Sequence, residues 1–258
     1  MNLRLKDKVI LVTGGSKGIG REITKTLIKE KAIVYCLARK SKELDSIKLK
    51  YSGNIIDCDA TKIEQVNESL KYITKKEGSL DVLINNLGGV SKFDSFENLS
   101  EKDWLDSYEK NILFAIRFIK ASLPLLKESR FSKILNISST VSVKPGFFNP
   151  HYSAMKAALN NLSTHLAKKY AQENILVNSL LLGPAMTKSL EKNIKYNWKE
   201  KEEYELFREE FIKFEESKIL LKKLGNPKEI AFYVSILISP RTSWLTGSNI
   251  NLDGGKFL

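Results

Sequence analysis

Short apolar runs alternate with longer amphipathic segments along the chain. In residues 18–30, for example, Ile19, Ile23 and Leu27 recur at the spacing that places side chains on one face of a helix. The apolar runs between such segments have the length of buried strands. This pattern predicts strands over residues 8–13, 32–37, 54–58, 80–85, 133–138, 175–181 and 248–252. It predicts helices over residues 18–30, 63–76, 101–126, 152–172 and 227–239.

Alternation of strands and helices favours an α/β fold, in which a parallel sheet carries helices on both faces. The predicted architecture is a Rossmann-type doubly wound parallel sheet of about seven strands. No repeat and no linker interrupts the alternation, so residues 1–258 are interpreted as a single domain. Residues 185–225 contain no predicted strand but carry Phe207, Phe211 and Phe214 at helical spacing. Two interpretations stay open for them: packing onto the domain, or covering an apolar substrate.

Composition and charge narrow the class of protein. No apolar run approaches the ~20 residues that span a bilayer, so we expect no membrane partner. Cys36 and Cys58 lie in apolar stretches and are interpreted as buried thiols, which favours a cytoplasmic location. The net charge is +12, but the lysines are spread over nearly every segment rather than clustered. We therefore expect no nucleic-acid partner, and no ligand cluster points to a metal.

A glycine-rich turn over residues 13–20 lies between the first predicted strand and the first predicted helix. Glycines there let backbone N–H groups approach a pyrophosphate at the helix N-terminus. After the second strand, Arg39 stands where an acidic residue would bind the ribose of NAD, and Lys17 adds a second cation. We therefore expect NADP (NADPH) rather than NAD. The predicted cofactor-binding residues of the turn are Gly14, Ser16, Lys17, Gly18, Ile19 and Gly20.

Further motifs follow the later strands in order. They are Asn-Asn-Leu-Gly at residues 85–88, Ser139 after the fifth strand, and Tyr-Ser-Ala-Met-Lys at residues 152–156. With the glycine turn, they resemble the single-domain branch of the short-chain dehydrogenase/reductase family over essentially the whole chain. The chain is similar to the 3-oxoacyl-carrier-protein reductase-like members. It departs from the family at Leu87, where alanine is usual, and at Leu182 and Pro184, which alter a Pro-Gly pair.

The resemblance implies a catalytic tetrad of Asn111, Ser139, Tyr152 and Lys156. Tyr152 would be the general acid/base, and Lys156 would lower the pKa of Tyr152 and bind the nicotinamide ribose. Ser139 would polarise the carbonyl group, and Asn111 would hold a water that links Lys156 to solvent. The further cofactor contacts that the resemblance implies are Asp59, Asn86, Gly88, Tyr152, Lys156, Gly183 and Thr187.

A second Tyr-x-x-x-Lys motif, Tyr72 with Lys76, has no serine thirteen residues before it and lies late in an earlier helix. We do not expect it to be catalytic, because its context differs from that of Tyr152.

The predicted function is NADP(H)-dependent hydride transfer between nicotinamide and a carbonyl or secondary alcohol. Phe147, Phe148 and Phe207 favour an apolar substrate, either a small molecule or one bound to a carrier protein. The alternative is a non-catalytic, dinucleotide-binding regulatory protein of the same fold, which the loss of a tetrad residue would favour. Surplus apolar residues on helices 101–126 and 152–172 predict a homo-oligomer, and we expect a homotetramer.

Overall fold

The computed structural model of the protein describes residues 2–187, 190–191, 194 and 204–258. Its strands are β1 Val9–Thr13, β2 Ile33–Ala38, β3 Asn54–Asp57, β4 Val82–Asn85, β5 Ser132–Ser139, β6 Ile175–Leu182 and β7 Asn249–Leu252. They form one seven-stranded sheet in the order β3-β2-β1-β4-β5-β6-β7. Every neighbouring pair is parallel. The predicted Rossmann-type sheet is therefore confirmed.

The helices that flank the sheet include one that the apolar pattern did not predict, α2. The helices are α1 Gly18–Lys29, α2 Lys42–Tyr51, α3 Ile63–Glu77, α4 Glu101–Tyr108, α5 Phe114–Glu128, α6 Pro150–Tyr170, α7 Tyr204–Ser217 and α8 Pro227–Leu237. In α2 only Leu44 and Ile47 are buried, so its apolar stripe is too thin to stand out. The sequence nevertheless carries a start signal for α2, since Ser41 is its N-cap and the hydroxyl of Ser41 accepts a hydrogen bond from Leu44 N.

The long helix predicted over residues 101–126 is interrupted. A π-helical turn, Glu109–Leu113, separates α4 from α5. Such a turn inserts one extra residue into the helical path and is frequent at functional sites. The tetrad candidate Asn111 lies inside it. Apolar periodicity could not show the interruption, because the π-helical turn joins α4 to α5 without a break in helical structure.

Apolar side chains cover both faces of the sheet, as burial of a parallel sheet requires. On β1, Val9 and Leu11 belong to the core formed with α3, α5 and α6. Ile10 and Val12 alternate to the opposite core, which is formed with α1 and α8. Each fully buried aliphatic side chain of this kind stabilises the fold by roughly 1.5–3 kcal/mol. The two cores thus bury both faces of the sheet and leave the ends of its strands for functional residues.

The strand order reverses direction at β1, whose neighbours are β2 and β4. In open parallel sheets the carboxyl ends of the strands at such a switch point form a crevice that binds ligands. The two sheet edges are β3 and β7, each four residues long. Asn54 and Asp57 on β3, and Asn249 and Asn251 on β7, are exposed.

A buried lysine holds the opposite end of the sheet. Lys133 lies on β5 and is 2% exposed. Its ammonium donates hydrogen bonds to the main-chain oxygens of Leu237 at 2.9 Å, Ser239 at 2.8 Å and Thr242 at 2.8 Å. These oxygens lie at and beyond the end of α8, where the last carbonyls of a helix have no partner within the helix. Lys133 therefore joins the central sheet to the end of α8.

Both cysteines are buried, as predicted. Burial raises the pKa of the Cys36 thiol to about 12, so the thiol stays protonated. Among the residues that the structure describes, no helix is both long enough and apolar enough to cross a bilayer.

Candidate active site

The turn between β1 and α1 forms an open cradle. Gly14 and Gly18 have left-handed backbone, with φ of +65° and +53°. A Cβ atom at Gly20 would lie 2.3 Å from Gly14 O, so only glycine lets α1 begin this close to the turn. At Gly18 no atom of the described residues, apart from the neighbouring backbone, lies within 4 Å of the place that a Cβ would take, so the N-terminus of α1 is open. An open helix N-terminus with small residues fits the pyrophosphate of a dinucleotide.

Asn86 fastens the end of β4 to this turn. Its Nδ2 donates to Thr13 O at 3.1 Å and to Gly14 O at 3.2 Å. Its main-chain N–H donates to the hydroxyl of Thr13 at 3.0 Å. That hydroxyl in turn donates to Ile84 O at 3.3 Å. The glycine turn and the end of β4 are therefore one hydrogen-bonded unit at the switch point of the sheet.

Arg39 and Asp59 lie together farther along the same edge. With Asp57 and residues of α3 they line a cleft of about 490 Å³. Hydrogen bonds from the main chain and hydroxyl of Thr61 hold the pKa of Asp59 below its usual value, and the charge of Arg39 adds to this effect. Lys17, the second predicted cation, forms an ion pair with Glu43 at 3.5 Å. Beside Arg39 the cleft is lined by three carboxylates, those of Asp57, Asp59 and Glu68, so the positive charge that the sequence alone indicates is offset there.

Gly88, Asn111 and Lys156 are in direct proximity. A Cβ at Gly88 would lie 2.8 Å from Asn111 Oδ1 and 3.1 Å from Lys156 Nζ. The side-chain amide of Asn111 accepts from Gly89 N at 2.9 Å and donates to Gly89 O at 3.1 Å. It also donates to Ser107 O at 3.1 Å. Asn111 therefore holds the loop after β4 against the π-helical turn.

Lys156 reaches the site as a buried cation. It is 3% exposed, and burial lowers its pKa to about 8. Its Nζ donates to Ile137 O at 2.9 Å and lies 5.8 Å from the ring centroid of Tyr152. An ammonium has three donors, and in the described part of the chain Ile137 O is the one acceptor that bonds it. The other two donors fit the hydroxyl groups of a ribose.

Tyr152 stands in the first turn of α6, half-buried. Burial raises its pKa to about 12, and a hydrogen bond with Ser139 offsets part of that rise. Removal of the phenol from water outweighs the contact with Ser139, and the expected lowering of the pKa of Tyr152 by Lys156 stays a prediction. At neutral pH the phenol keeps its proton, next to a serine hydroxyl at the end of β5.

Residues 8–197 match the family model described as short chain dehydrogenase. The chain belongs to the short chain dehydrogenase family. It is 29% identical to the uncharacterized oxidoreductase YvrD of Bacillus subtilis over 99% of this chain and 98% of that protein. It is also 29% identical to the 3-oxoacyl-(acyl-carrier-protein) reductase FabG of Aquifex aeolicus, with 100% of both chains covered.

A solved structure of this family has the same fold over the full length. It is L-sorbose reductase from Gluconobacter frateurii in complex with NADPH and L-sorbose. The TM-score is 0.91 at 25% identity, with 100% of this chain and 99% of that chain covered. Family and fold together support a general hydride-transfer oxidoreductase.

Two of the predicted cofactor-binding residues, Gly183 and Thr187, follow β6. Gly183 allows close approach of the chain, because a Cβ there would lie 2.8 Å from the Cα of Asp253. The hydroxyl of Thr187 accepts a hydrogen bond from Leu190 N at 3.2 Å, which leaves its proton available to a ligand. Of the predicted covering segment 185–225, residues 188–189, 192–193 and 195–203 lie outside the described residues.

Sequence reasoning missed the polar residues that support this dehydrogenase site. Thr13 was read only as part of the glycine motif, yet its buried hydroxyl bonds the end of β4. Ser107 was not singled out, although it lies four residues before Asn111, a spacing at which helical side chains are neighbours. The four-residue spacing from Asn111 could therefore have identified Ser107. The hydroxyl of Ser107 also contacts the main chain of His151, and no sequence signal showed that His151 would be fully buried.

Proposed function

We propose that the protein is an NADP(H)-dependent oxidoreductase that transfers hydride between nicotinamide and a carbonyl or secondary alcohol. The observation that carries this proposal is the convergence of the phenol of Tyr152, the hydroxyl of Ser139 and the ammonium of Lys156 next to Gly88, in the loop after β4. A bound nicotinamide would supply the hydride, and the protein would supply the proton and hold both partners in place.

Tyr152 acts as the proton donor in the direction of reduction. Hydride addition to a carbonyl carbon leaves negative charge on its oxygen, which must gain a proton. With a pKa raised to about 12, the phenol of Tyr152 carries its proton throughout the neutral range. Ser139 donates a hydrogen bond to the same oxygen, and Lys156 uses its two remaining donors on the ribose. Removal of Tyr152 should therefore stop proton transfer but leave cofactor binding in place.

NADP is the proposed form of the cofactor. The 2′-phosphate would bind beside Arg39, with Lys17 released from Glu43 to meet it. Gly14, Ser16, Gly18, Ile19 and Gly20 would hold the pyrophosphate, and Asp59, Asn86, Gly88, Gly183 and Thr187 would hold the rest of the dinucleotide. The complex of L-sorbose reductase with NADPH supports this choice. The buried thiols of Cys36 and Cys58 support a cytoplasmic location.

The proposed substrate-covering segment includes α7. No residue of α7 is fully buried, although Phe207 and Phe211 pack at 6.4 Å between ring centroids. Phe93 and Phe148 form a second pair, which is exposed and stacked at 5.2 Å between ring centroids. These aromatic surfaces support a substrate with an apolar part, either a small molecule or a carrier-bound compound.

The proposed homotetramer is supported by two separate apolar surfaces. One lies on α4 and α6, where Leu105, Tyr108, Ala154 and Ala158 are exposed. The other lies on α8 and after it, where Phe232, Tyr233 and Trp244 are exposed. Two different surfaces that each bury against a second copy generate a tetramer with two-fold axes. Light scattering checks the mass, and a value near the 29.3 kDa of one chain at micromolar concentration contradicts the tetramer.

The decisive experiment is loss of NADPH absorbance with a panel of ketones, aldehydes and 3-oxoacyl thioesters. Tyr152→Phe should lower kcat at least ~100-fold, because proton transfer is lost, while the Kd of NADPH changes little. Tyr72→Phe is the matched control, since Tyr72 belongs to the second Tyr-x-x-x-Lys motif. Full activity of Tyr152→Phe together with an inactive Tyr72→Phe would show that the wrong tyrosine was chosen.

A further inference from the structure

A basic cleft adjoins the candidate active site. It has a volume of about 310 Å³ and is lined by Thr140, Val141, Lys144, Lys218, Lys256 and Phe257. These residues come from the turn after β5, the end of α7 and the C-terminal residues. Thr140 directly follows Ser139, so the cleft begins one residue away from the proposed contact with the substrate carbonyl. A volume near 300 Å³ lies at the lower end of the range for small-molecule sites.

The wall next to Ser139 is firmly held. Thr140 donates to Leu182 O at 3.4 Å on β6. The hydroxyl of Ser142 donates to Ser139 O and accepts from Asn160 Nδ2 on α6 at 2.7 Å. The turn is therefore fixed to a strand and to the catalytic helix. A group bound in the cleft would be held at a set distance from Ser139 and Tyr152.

Positive charge exceeds negative charge in the cleft. Glu215 forms ion pairs with Lys218 at 2.8 Å and with Lys256 at 2.7 Å. Burial raises the pKa of Glu215, but hydrogen bonds and charge from both lysines outweigh it and hold the pKa below the usual value. Lys144 donates to the main-chain oxygen of Phe257 at 3.3 Å and has no carboxylate partner among the described residues. Three ammonium groups thus line the cleft, and one carboxylate, that of Glu215, pairs with two of them.

Nearby acidic groups do not remove this excess. The carboxylate of Asp253 accepts hydrogen bonds from the main-chain N–H groups of Gly255 and Phe257, at 3.0 Å and 2.7 Å, and does not line the cleft. Val141 and Phe257 supply an apolar wall on which water is displaced, and charge-assisted hydrogen bonds are stronger where water is partly excluded. The cleft therefore suits an anion with several acceptor oxygens.

We propose that this basic cleft binds an anionic group, a carboxylate or a phosphate monoester, that the carbonyl substrate carries beyond its reacting carbon. This inference rests on the proposed function and specifies its substrate class. The substrate then has two unlike parts: an apolar part against the aromatic surfaces, and an anionic end between Lys144, Lys218 and Lys256. A small carboxylic acid and a phosphopantetheine thioester would both present such an end.

The test compares substrates that differ only in the anion. One pair is 4-formylbenzoate and its methyl ester, and the other is acetoacetyl pantetheine 4′-phosphate and acetoacetyl pantetheine. For at least one pair, kcat/KM with NADPH should be about tenfold higher for the anion, as expected for one added charge-assisted contact. The first pair identifies a small carboxylic acid as the source of the anion, and the second identifies a phosphopantetheine thioester.

Lys144 is the variant of choice, because it is exposed and forms no ion pair with any residue that the structure describes. Lys144→Glu should abolish the preference for the anion, Lys144→Gln should reduce it, and both should leave the neutral partner unchanged. The matched control is Lys213→Glu, which makes the same change of charge on an exposed residue of α7 outside the cleft. Equal kcat/KM for both members of each pair, or a preference that survives Lys144→Glu, overturns the anion site and leaves the proposed oxidoreductase intact.

A binding measurement separates this result from failure of the proposed function. With NADPH saturating the dinucleotide site, the phosphorus resonance of pantetheine 4′-phosphate should broaden with the wild-type protein and with Lys213→Glu, but not with Lys144→Glu. Reduction of none of the four carbonyl compounds contradicts the oxidoreductase proposal. Equal broadening with Lys144→Glu and the wild type contradicts the anion site independently of turnover.

Discussion

The hydroxyl of Ser107 donates a hydrogen bond to the main-chain oxygen of His151 at 3.1 Å. The same hydroxyl accepts from Asn111 Nδ2 at 3.3 Å. Ser107 is buried on α4, and His151 directly precedes Tyr152 on α6. One serine therefore links the residue inside the π-helical turn to the helical turn that carries the proposed proton donor.

Ser107→Ala should lower kcat while leaving NADPH binding unchanged. Loss of the hydroxyl frees α4 from the first turn of α6, and small misplacement of a proton donor costs roughly threefold to tenfold in rate. It also removes a buried hydrogen bond between two helices, at a cost of about 0.5–1.5 kcal/mol in the free energy of unfolding. Steady-state kinetics and thermal unfolding measure both effects.

Ser122→Ala is the matched control for Ser107→Ala. Ser122 is also fully buried, but its hydroxyl has no hydrogen-bond partner within the described part of the protein. Its removal should therefore leave kcat unchanged and not lower the stability. A Ser107→Ala variant that loses stability but keeps its full kcat would reduce Ser107 to a purely structural role.

Arg39→Asp should shift cofactor preference from NADPH toward NADH. The change removes a partner of the 2′-phosphate and supplies an acceptor for a ribose hydroxyl. The ratio of kcat/KM for NADPH to that for NADH should fall by about 10-fold to 100-fold, the value of one charge-assisted pair. Lys48→Glu makes the same change of charge on the exposed side of α2 and should leave the ratio alone. An unaltered ratio in Arg39→Asp would eliminate Arg39 as the phosphate partner.

Affinity for NADPH should depend on the charge of Lys156. Because burial lowers its pKa to about 8, Lys156 is charged below that pH and neutral above it. Affinity should thus be complete below pH 8 and decline as the pH rises through it. Fluorescence titrations with NADPH from about pH 6 to about pH 10 measure the inflection. In Lys156→Arg the side chain stays charged, and the inflection should disappear; its persistence would assign it to another group.

Lys133→Met should destabilise the fold and leave kcat unchanged. The oxygens of Leu237, Ser239 and Thr242 lose their shared donor, which should lower the free energy of unfolding by about 3 kcal/mol. For a chain of this size that corresponds to a Tm lower by roughly 6–12 °C. Lys71→Met, at an exposed position on α3, is the control and should change little. An equal or higher Tm would mean that the desolvation of the Lys133 ammonium destabilises the fold at least as much as its hydrogen bonds stabilise it.

The features that the sequence predicted correctly are those carried by local spacing. The strands were visible as apolar runs, and the glycine turn was visible between β1 and α1. The interval from Ser139 also separates Tyr152 from Tyr72 in the sequence, and the choice of Tyr152 as the catalytic tyrosine stays a prediction. These signals need no knowledge of how distant elements pack.

The features that it could not predict depend on contacts between distant segments. Ser107 and His151 are 44 positions apart, and only folding brings their helices together. Nothing in the sequence indicated that Lys133 would be buried, because the carbonyl oxygens that accept its hydrogen bonds lie more than 100 positions away in the chain. The basic cleft likewise joins three separate segments. Burial, which raises the pKa of Tyr152, is likewise a property of the fold.

The two edges of the sheet bear on how the protein behaves when it is concentrated. An unpaired strand edge is a template on which another chain can add a strand, and long, flat, apolar edges lead to aggregation. Here β3 and β7 end the sheet after four residues each, and Asn54, Asp57, Asn249 and Asn251 face the solvent there. A second chain would find few main-chain groups to pair with and would have to strip water from amides and a carboxylate. Crowding in a cell should therefore favour association through helical surfaces, and fibre growth from the sheet should be suppressed.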